Sequence, residues 1–186
     1  MSALHCTPTA LAGVWQVRRQ AQSDARGAFA RIFCAAELQE VGWIGPVAQV
    51  NHSVTTARGT VRGLHYQLAP WADMKLVSCV RGRVWDVAVD LRRDSPTFLR
   101  WHAQELSSLA DVALLIPQGC AHGYQALGDD AELLYCHSAP YRPQAQGGVQ
   151  ACDPRLAIDW PLPVQLLSPR DATWPPLAAD FTGVCA

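Results

Sequence analysis

The sequence predicts a mainly β fold, a closed barrel or jelly roll with a few short helices, and three observations carry that prediction. Through the middle of the chain apolar and polar residues alternate with a period near two, the signature of half-buried strands rather than helices. The runs are short and are punctuated by Gly, Pro and Asp pairs that turn a chain tightly. Helical patterns are confined to Cys34–Val41 and to short pieces after Asp153 and Ser168. Many short strands with little helix bury their apolar faces by closing one sheet on itself or packing two together.

Taken in order, the expected strands are Val14–Arg18, Phe29–Phe33, Val47–Thr55, Thr60–Gln67, Met74–Arg81, Arg83–Asp90, Arg100–Leu106, Ala113–Pro117, Gly123–Leu127 and Ala131–His137. Arg81-Gly82-Arg83 and Gly128-Asp129-Asp130 are the tightest links, each with residues that tolerate turn geometry. The late prolines, Pro161, Pro163, Pro169, Pro175 and Pro176, predict an irregular tail wrapped over the barrel. No repeat, low-complexity tract or linker divides the chain.

A chain of 186 residues, 49% of them hydrophobic and 17% charged, can bury one good-sized core. The expectation is a single domain over residues 1–186, with a barrel core at about 45–140, N-terminal strands and a C-terminal wrap. A net charge of −1 gives no general attraction for nucleic acid or anionic lipid, so any anion must be held locally. The seven cysteines form no CxxC pair and are odd in number, which predicts reduced, mostly buried thiols. Met1–Trp15 has neither the charged nor the apolar region of a secretory signal, and no apolar run reaches the length of a membrane span. A cytoplasmic location is expected.

Candidate chemistry lies in three stretches where polar residues interrupt apolar strands: Gln49–Ser53, Arg62–Gln67 and Leu133–His137. Residues two apart share a strand face, so Gln49, Asn51 and Ser53 point one way and Gly63, His65 and Gln67 share another face. His65 with Asn51 and Gln49 makes a coherent pocket wall. A lone histidine in an apolar strand is commonly a satisfied core residue; a cluster of buried polar groups argues for a site, since each costs stability unless paired. Lys75 stands out because every other basic residue among the fifteen lysines and arginines is arginine. Pro117–His122 has the PxGxxH spacing of a metal-binding β-barrel motif, but no HxH pair occurs to complete a ligand set, so no metal is expected.

The motifs together resemble the dTDP-4-dehydrorhamnose 3,5-epimerase family from about Val14 to Leu177. The strings that carry the resemblance are DARG (Asp24–Gly27), QVNHS (Gln49–Ser53), TVRGLHYQ (Thr60–Gln67), MKLV (Met74–Val77), RGRVWDVAVDLRRDSPTF (Arg81–Phe98), IPQGCAHGY (Ile116–Tyr124), ELLYCHSAPY (Glu132–Tyr141), DPRLAIDWPL (Asp153–Leu162) and LSPRD (Leu167–Asp171). The resemblance implies a cupin-like β-barrel, usually a homodimer, that needs no cofactor or metal and epimerises a nucleotide-diphosphate sugar at the carbons flanking a 4-keto group. It implies His65 as the base, Asp171 as its partner, Lys75 at the ketone oxygen and Tyr135 as an acid on the opposite face of the sugar. It further implies Arg26, Arg62 and His122 for diphosphate recognition, and Gln49, Asn51 and Tyr141 along the substrate pocket. Strand alternation puts Arg62 on the face away from His65, so a bulge or a rim position is required. The competing readings are an epimerase acting at C3 or C5 alone on a different, GDP- or CDP-linked sugar, a catalytically silent sugar-nucleotide binder and a metal-dependent barrel enzyme; the joint presence of His65, Asp171, Lys75 and Tyr135 argues against the silent binder. Departures from the family pattern are Arg31, where a glutamate is usual, Ala151, where a tryptophan is common, and Ser78, where arginine is frequent. They bear on the choice of nucleotide and sugar.

Overall fold

The computed structural model describes residues 3–185; residues 1, 2 and 186 of the expected domain span lie outside the described residues. The elements are β1 (Leu4–Pro8), β2 (Trp15–Arg19), β3 (Gln22–Asp24), β4 (Gly27–Phe29), α1 (Ala35–Gln39), β5 (Gln49–Thr55), β6 (Val61–Gln67), β7 (Lys75–Arg81), β8 (Arg83–Asp90), β9 (Trp101–Ser107), β10 (Val112–Ile116), β11 (Cys120–Ala126), β12 (Ala131–His137), β13 (Gln146–Gly148) and α2 (Pro169–Thr173). The fold is mainly β, as the alternation predicts.

A six-stranded sheet in the order β1-β2-β10-β7-β12-β5 faces a five-stranded sheet in the order β13-β6-β11-β8-β9, with β3 and β4 forming a separate hairpin. Between the sheets, Val77, Leu114, Ile116 and Leu133 of the first meet Val84, Ala88, Leu106 and Tyr124 of the second. Each fully buried Val or Leu side chain contributes about 1.5–3 kcal/mol over leaving it in water. Each sheet also has an apolar outer face. Leu38 of α1 and Trp43 cover one of them, against Leu76, Leu115 and Cys136. The proline-rich tail covers the other, setting Leu156, Trp160, Leu177, Phe181 and Val184 against Leu64, Val87, Val89 and Ala121.

The two tight links make corners between the sheets rather than hairpins. Arg81-Gly82-Arg83 carries the chain from β7 in one sheet to β8 in the other, and Gly128-Asp129-Asp130 carries it back from β11 to β12. Gly82 sits at φ 69° and Asp130 at φ 53°, the left-handed conformation such corners need.

Several expectations differ from the structure. The strand expected at Phe29–Phe33 ends at Phe29, because the Asp24 carboxylate accepts the Arg26 backbone N–H at 2.8 Å and closes the β3–β4 hairpin early. The piece after Asp153 forms turns rather than a helix, while α2 does follow Ser168. β1 and β13 had no sequence signal: in β1 only Leu4 is buried, and β13 holds two glycines. Of the cysteines, Cys79, Cys120 and Cys136 are buried, Cys6 and Cys34 partly so, and Cys152 and Cys185 exposed; all are free thiols. Burial pushes Cys79 up to about 11 and Cys120 up to about 12, the condition of inert structural thiols. Among the described residues no helix is long and apolar enough to cross a membrane.

Candidate active site

One end of the space between the sheets opens into a cavity of about 830 Å³, within the range of about 300–1,000 Å³ usual for small-ligand sites. Its walls include His65, Arg62, His122 and Tyr124 from the five-stranded sheet and Gln49, Asn51, Lys75, Tyr135 and His137 from the six-stranded one. Asp171 and Arg170, from α2, close one side.

A bulge in β6 builds the first wall. Against β11, His65 pairs with His122 but Arg62 pairs with Tyr124, so β6 spends one residue more than its partner. That extra residue brings Arg62 and His65 to the same cavity despite their spacing. Two glycines permit it: Gly63, at φ 129°, lies so close to Gly123 that a Cβ on it would stand 2.5 Å from the Gly123 Cα, and a Cβ on Gly123 would stand 2.7 Å from the Arg62 carbonyl oxygen. Arg62 is then fixed by donating from Nε to Thr55 Oγ1 and from a terminal nitrogen to the Val54 carbonyl, each at 2.9 Å.

The partner of His65 arrives on a single capped turn. Ser168 Oγ accepts the Asp171 N–H at 3.0 Å and Pro169 takes the first helical position, so the LSPRD string is a helix start that presents Asp171 at its third residue. Asp171 Oδ1 lies 2.6 Å from His65 Nε2, and its Oδ2 accepts the Gly63 N–H at 3.3 Å. Burial raises the Asp171 carboxyl, but the hydrogen bond and charge of His65, with the Gly63 N–H, hold it below the usual carboxylate range. It is therefore ionised at neutral pH and can only accept, so Nε2 carries the ring proton and Nδ1 keeps the lone pair.

On the facing sheet, β12 pairs directly with β5 and β7, setting Tyr135 opposite Asn51 and Val77, and His137 opposite Gln49 and Lys75. Burial pushes the Tyr135 hydroxyl well above the ordinary phenol value; Tyr124 and Asp86 add to this, and Ser53 and Arg62 only partly offset it. Tyr135 thus stays protonated. Its ring meets His122 edge-on at 5.8 Å and stacks on His137 at 5.9 Å. Lys75, only 7% exposed, donates to Asp73 Oδ1 at 3.1 Å. His122, also buried, hydrogen-bonds through Nε2 to Asp86 Oδ1 at 2.8 Å. Among the described residues no group of three or more His, Cys, Asp or Glu side chains is placed to hold a metal.

Nine of the ten residues singled out from the sequence border this cavity or its closing turn: His65, Asp171, Lys75, Tyr135, Gln49, Asn51, Arg62, His122 and Tyr141. The tenth, Arg26, does not. It sits at the tip of the β3–β4 hairpin with its side chain 89% exposed and paired to Asp24. Arg31 pairs with Glu37 of α1 instead of facing the cavity. Residues the sequence reading left without a role are Asp73, Asp86, Tyr124, His137, Gln146 and Arg170. Period-two spacing from Tyr135 and Lys75 would have found His137 and Asp73; Gln146, which accepts from Tyr141 at 2.6 Å and from Arg170 at 2.9 Å, follows an irregular loop that no pattern marks.

The family model for dTDP-4-dehydrorhamnose 3,5-epimerase matches residues 8–179. The chain belongs to the dTDP-4-dehydrorhamnose 3,5-epimerase family. It is 41% identical to a dTDP-4-dehydrorhamnose 3-epimerase of Streptomyces niveus over 165 residues, covering 88% of this chain and 79% of the relative. It is also 41% identical to a dTDP-4-dehydrorhamnose 3,5-epimerase of Mycolicibacterium smegmatis over 177 residues, covering 94% and 87%. The crystal structure of dTDP-6-deoxy-D-glucose-3,5-epimerase from Legionella pneumophila in complex with dTDP-4-keto-L-rhamnose superposes with a TM-score of 0.85 at 38% identity, covering 91% of this chain and 90% of that one. Membership makes the chain a sugar-nucleotide isomerase of the family's cupin-like fold.

Proposed function

We propose that the chain inverts C3 and C5 of a nucleotide-diphospho-4-keto-6-deoxyhexose, with His65 as base. The observation that carries this reading is the pair of walls: His65 of one sheet, held by the Asp171 carboxylate of α2, faces a protonated phenol on the other sheet across one cavity. A proton next to a ketone is removable because its loss gives an enolate, which needs a base at the carbon and a cation at the oxygen. His65 Nδ1 takes the proton, Asp171 balances the imidazolium, and Lys75 meets the oxyanion. Inversion then requires a proton from the opposite wall, where Tyr135 stands. Arg62 and His122 face the diphosphate, and Gln49, Asn51 and Tyr141 the sugar and its surroundings.

Run to completion in D₂O, the reaction should place deuterium at C3 and C5, and His65→Asn should stop exchange at both. Wash-in at the wild-type rate in that variant refutes the base assignment. Equal identity to a 3-epimerase and to a 3,5-epimerase supports a second reading, inversion at C3 alone, which the same experiment separates by deuterium at C3 only.

We also infer a homodimer. The β3–β4 hairpin projects Phe29, 78% exposed, and β5 is an edge strand with Val50 and Val54 uncovered. Arg26 reaches a diphosphate only if that hairpin meets a second copy's cavity. Sedimentation reporting a monomer, or an Arg26→Ala variant with unaltered KM, would remove this role.

A further inference from the structure

Behind Tyr135 lies a second imidazole–carboxylate pair that the reaction as described does not use. Asp73, 5% exposed, accepts from Lys75 through Oδ1 and lies 2.8 Å from His137 Nδ1 through Oδ2. A chain of hydrogen bonds fixes which nitrogen of His137 carries the proton. The Tyr141 backbone N–H can only donate, and it does so to Gln49 Oε1 at 2.9 Å. Gln49 must then present Nε2 to Asn51 Oδ1, also at 2.9 Å. Asn51 is left with Nδ2 toward His137 Nε2, at 3.4 Å. Nε2 is therefore the acceptor, and Nδ1–H donates to Asp73. Burial raises the Asp73 carboxyl, yet the Lys75 charge and His137 bring it below the ordinary range, so it is an anion that can hold this ring in either charge state.

The arrangement repeats that of His65 and Asp171 with the ring nitrogens exchanged, on the facing sheet. His137 shares a strand face with Tyr135, roughly 6.5 Å along β12, and is directly opposite Lys75 in the β7 register. When His137 is protonated, its Nε2–H meets the amide N–H of Asn51, a donor facing a donor, so that proton finds its acceptor in the cavity. By ordinary values a phenol, near 10, is a far weaker acid than an imidazolium, near 6.5, and burial weakens Tyr135 further.

We propose that His137, held by Asp73, is a second proton donor of the site, serving one of the two carbons that flank the ketone while Tyr135 serves the other. This rests on the epimerase reading with His65 as base. His65 Nδ1 removes the α-proton and the C–H pair becomes the C=C of the enolate, its oxygen at Lys75. His137, entering the step as the imidazolium with Nδ1–H on Asp73, then gives its Nε2 proton to that carbon from the other side and is left as the neutral Nδ1–H ring. The C=C pair forms the new C–H bond and the C4 carbonyl is restored. His65 has gained a proton and His137 has lost one, and both are reset by exchange with water.

The test is exchange and inversion measured separately at each carbon by NMR in D₂O, for wild type, His137→Gln and Tyr135→Phe, with the dTDP-linked 4-keto-6-deoxyglucose substrate. His137→Gln should exchange at both carbons within about threefold of wild type, because His65 remains. Inversion at one carbon should fall at least tenfold, and Tyr135→Phe should lose inversion at the other. His137→Gln inverting both carbons at the wild-type rate, or losing exchange at both, overturns the proposal. Imidazole ¹⁵N shifts of the wild-type protein give a readout that needs neither a variant nor turnover. Neutral His137 should be the Nδ1–H tautomer, which takes up its second proton on Nε2, and an Nε2–H tautomer of the neutral ring in the folded protein also overturns it. Failure of the epimerase reading looks different: exchange would survive in His65→Asn, or be absent in wild type, whatever the tautomer of His137.

Discussion

Replacing Asp171 with Asn tests the dyad with the least disturbance of shape. The side chain is isosteric, nearly fully buried, and anchored at its other oxygen by the Gly63 N–H. That N–H needs an acceptor, so the Asn carbonyl oxygen turns to Gly63 and the amide NH₂ turns to His65 Nε2. A nitrogen facing an NH₂ must accept, which moves the ring proton to Nδ1 and removes the lone pair from the nitrogen that faces the cavity. The charge-assisted hydrogen bond, 2.6 Å in the native site, is worth about 1.5–3 kcal/mol, or about one to two decades at 1.36 kcal/mol per decade. The misplaced tautomer adds to that; in Ser-His-Asp enzymes the same substitution costs about four decades. The expected fall in kcat is therefore about two to four decades, with KM little changed because Asp171 does not face the diphosphate. Deuterium wash-in at saturating substrate reads kcat for abstraction directly. A folded Asp171→Asn protein, by circular dichroism, that abstracts within fivefold of wild type would refute the claim that Asp171 sets the tautomer.

Lys75→Met should lower kcat by about two to three decades through loss of oxyanion stabilisation with exchange falling in parallel; exchange at the wild-type rate would take the lysine out of the mechanism. Gly63→Ala should abolish activity and lower the urea midpoint, since its Cβ has only 2.5 Å to the Gly123 Cα; a fully active alanine variant would show that the β6 bulge is dispensable. Asp73 and Asp171 both hold their carboxyls below the ordinary value. The unfolded chain therefore takes up protons first as pH falls, and the stability they contribute is complete above about 3.9 and is lost as pH drops through their lower folded values. Urea midpoints between pH 7 and pH 3 should fall less steeply in Asp73→Asn than in wild type, and identical slopes would contradict the ion-pair assignment.

The fold was legible where short apolar runs are bounded by turn residues. The central strands, β5 to β8 and β10 to β12, were recovered to within a few residues because their apolar side chains fill the space between the sheets and, in β10 and β11, the covered outer face as well, so the runs stand out between polar turns. What escaped was pairing that side chains do not pattern: β1 and β13 hydrogen-bond through backbone at sheet edges, and the β3–β4 hairpin is closed by the Asp24 carboxylate rather than by an apolar run. Which sheet each strand joins was also invisible, since a glycine corner such as Gly82 reads alike whether it returns the chain beside itself or sends it across the core.

The same limit explains the site. Strand alternation joins His65, Asn51 and Gln49 correctly, yet it sets Arg62 against them, and only the close approach of Gly63 to Gly123 resolves the conflict. Those glycines are informative in retrospect: two of them facing across adjacent strands mark a place where backbones, not side chains, must touch, and so where a ladder can slip by one residue. On the proposed mechanism the slip serves chemistry because it gives one wall both His65 as base and Arg62, while the facing wall slips only at its far end, between Glu132 and Leu133, and keeps regular register from Leu133 to His137, which aligns Lys75 with His137 and places Tyr135 two residues along. A reaction that removes a proton from one side of a ring and returns it from the other needs two walls that differ in this way. Their difference is written in glycines and strand partners, whereas the residues proposed to carry the reaction are written as isolated polar letters in apolar strands.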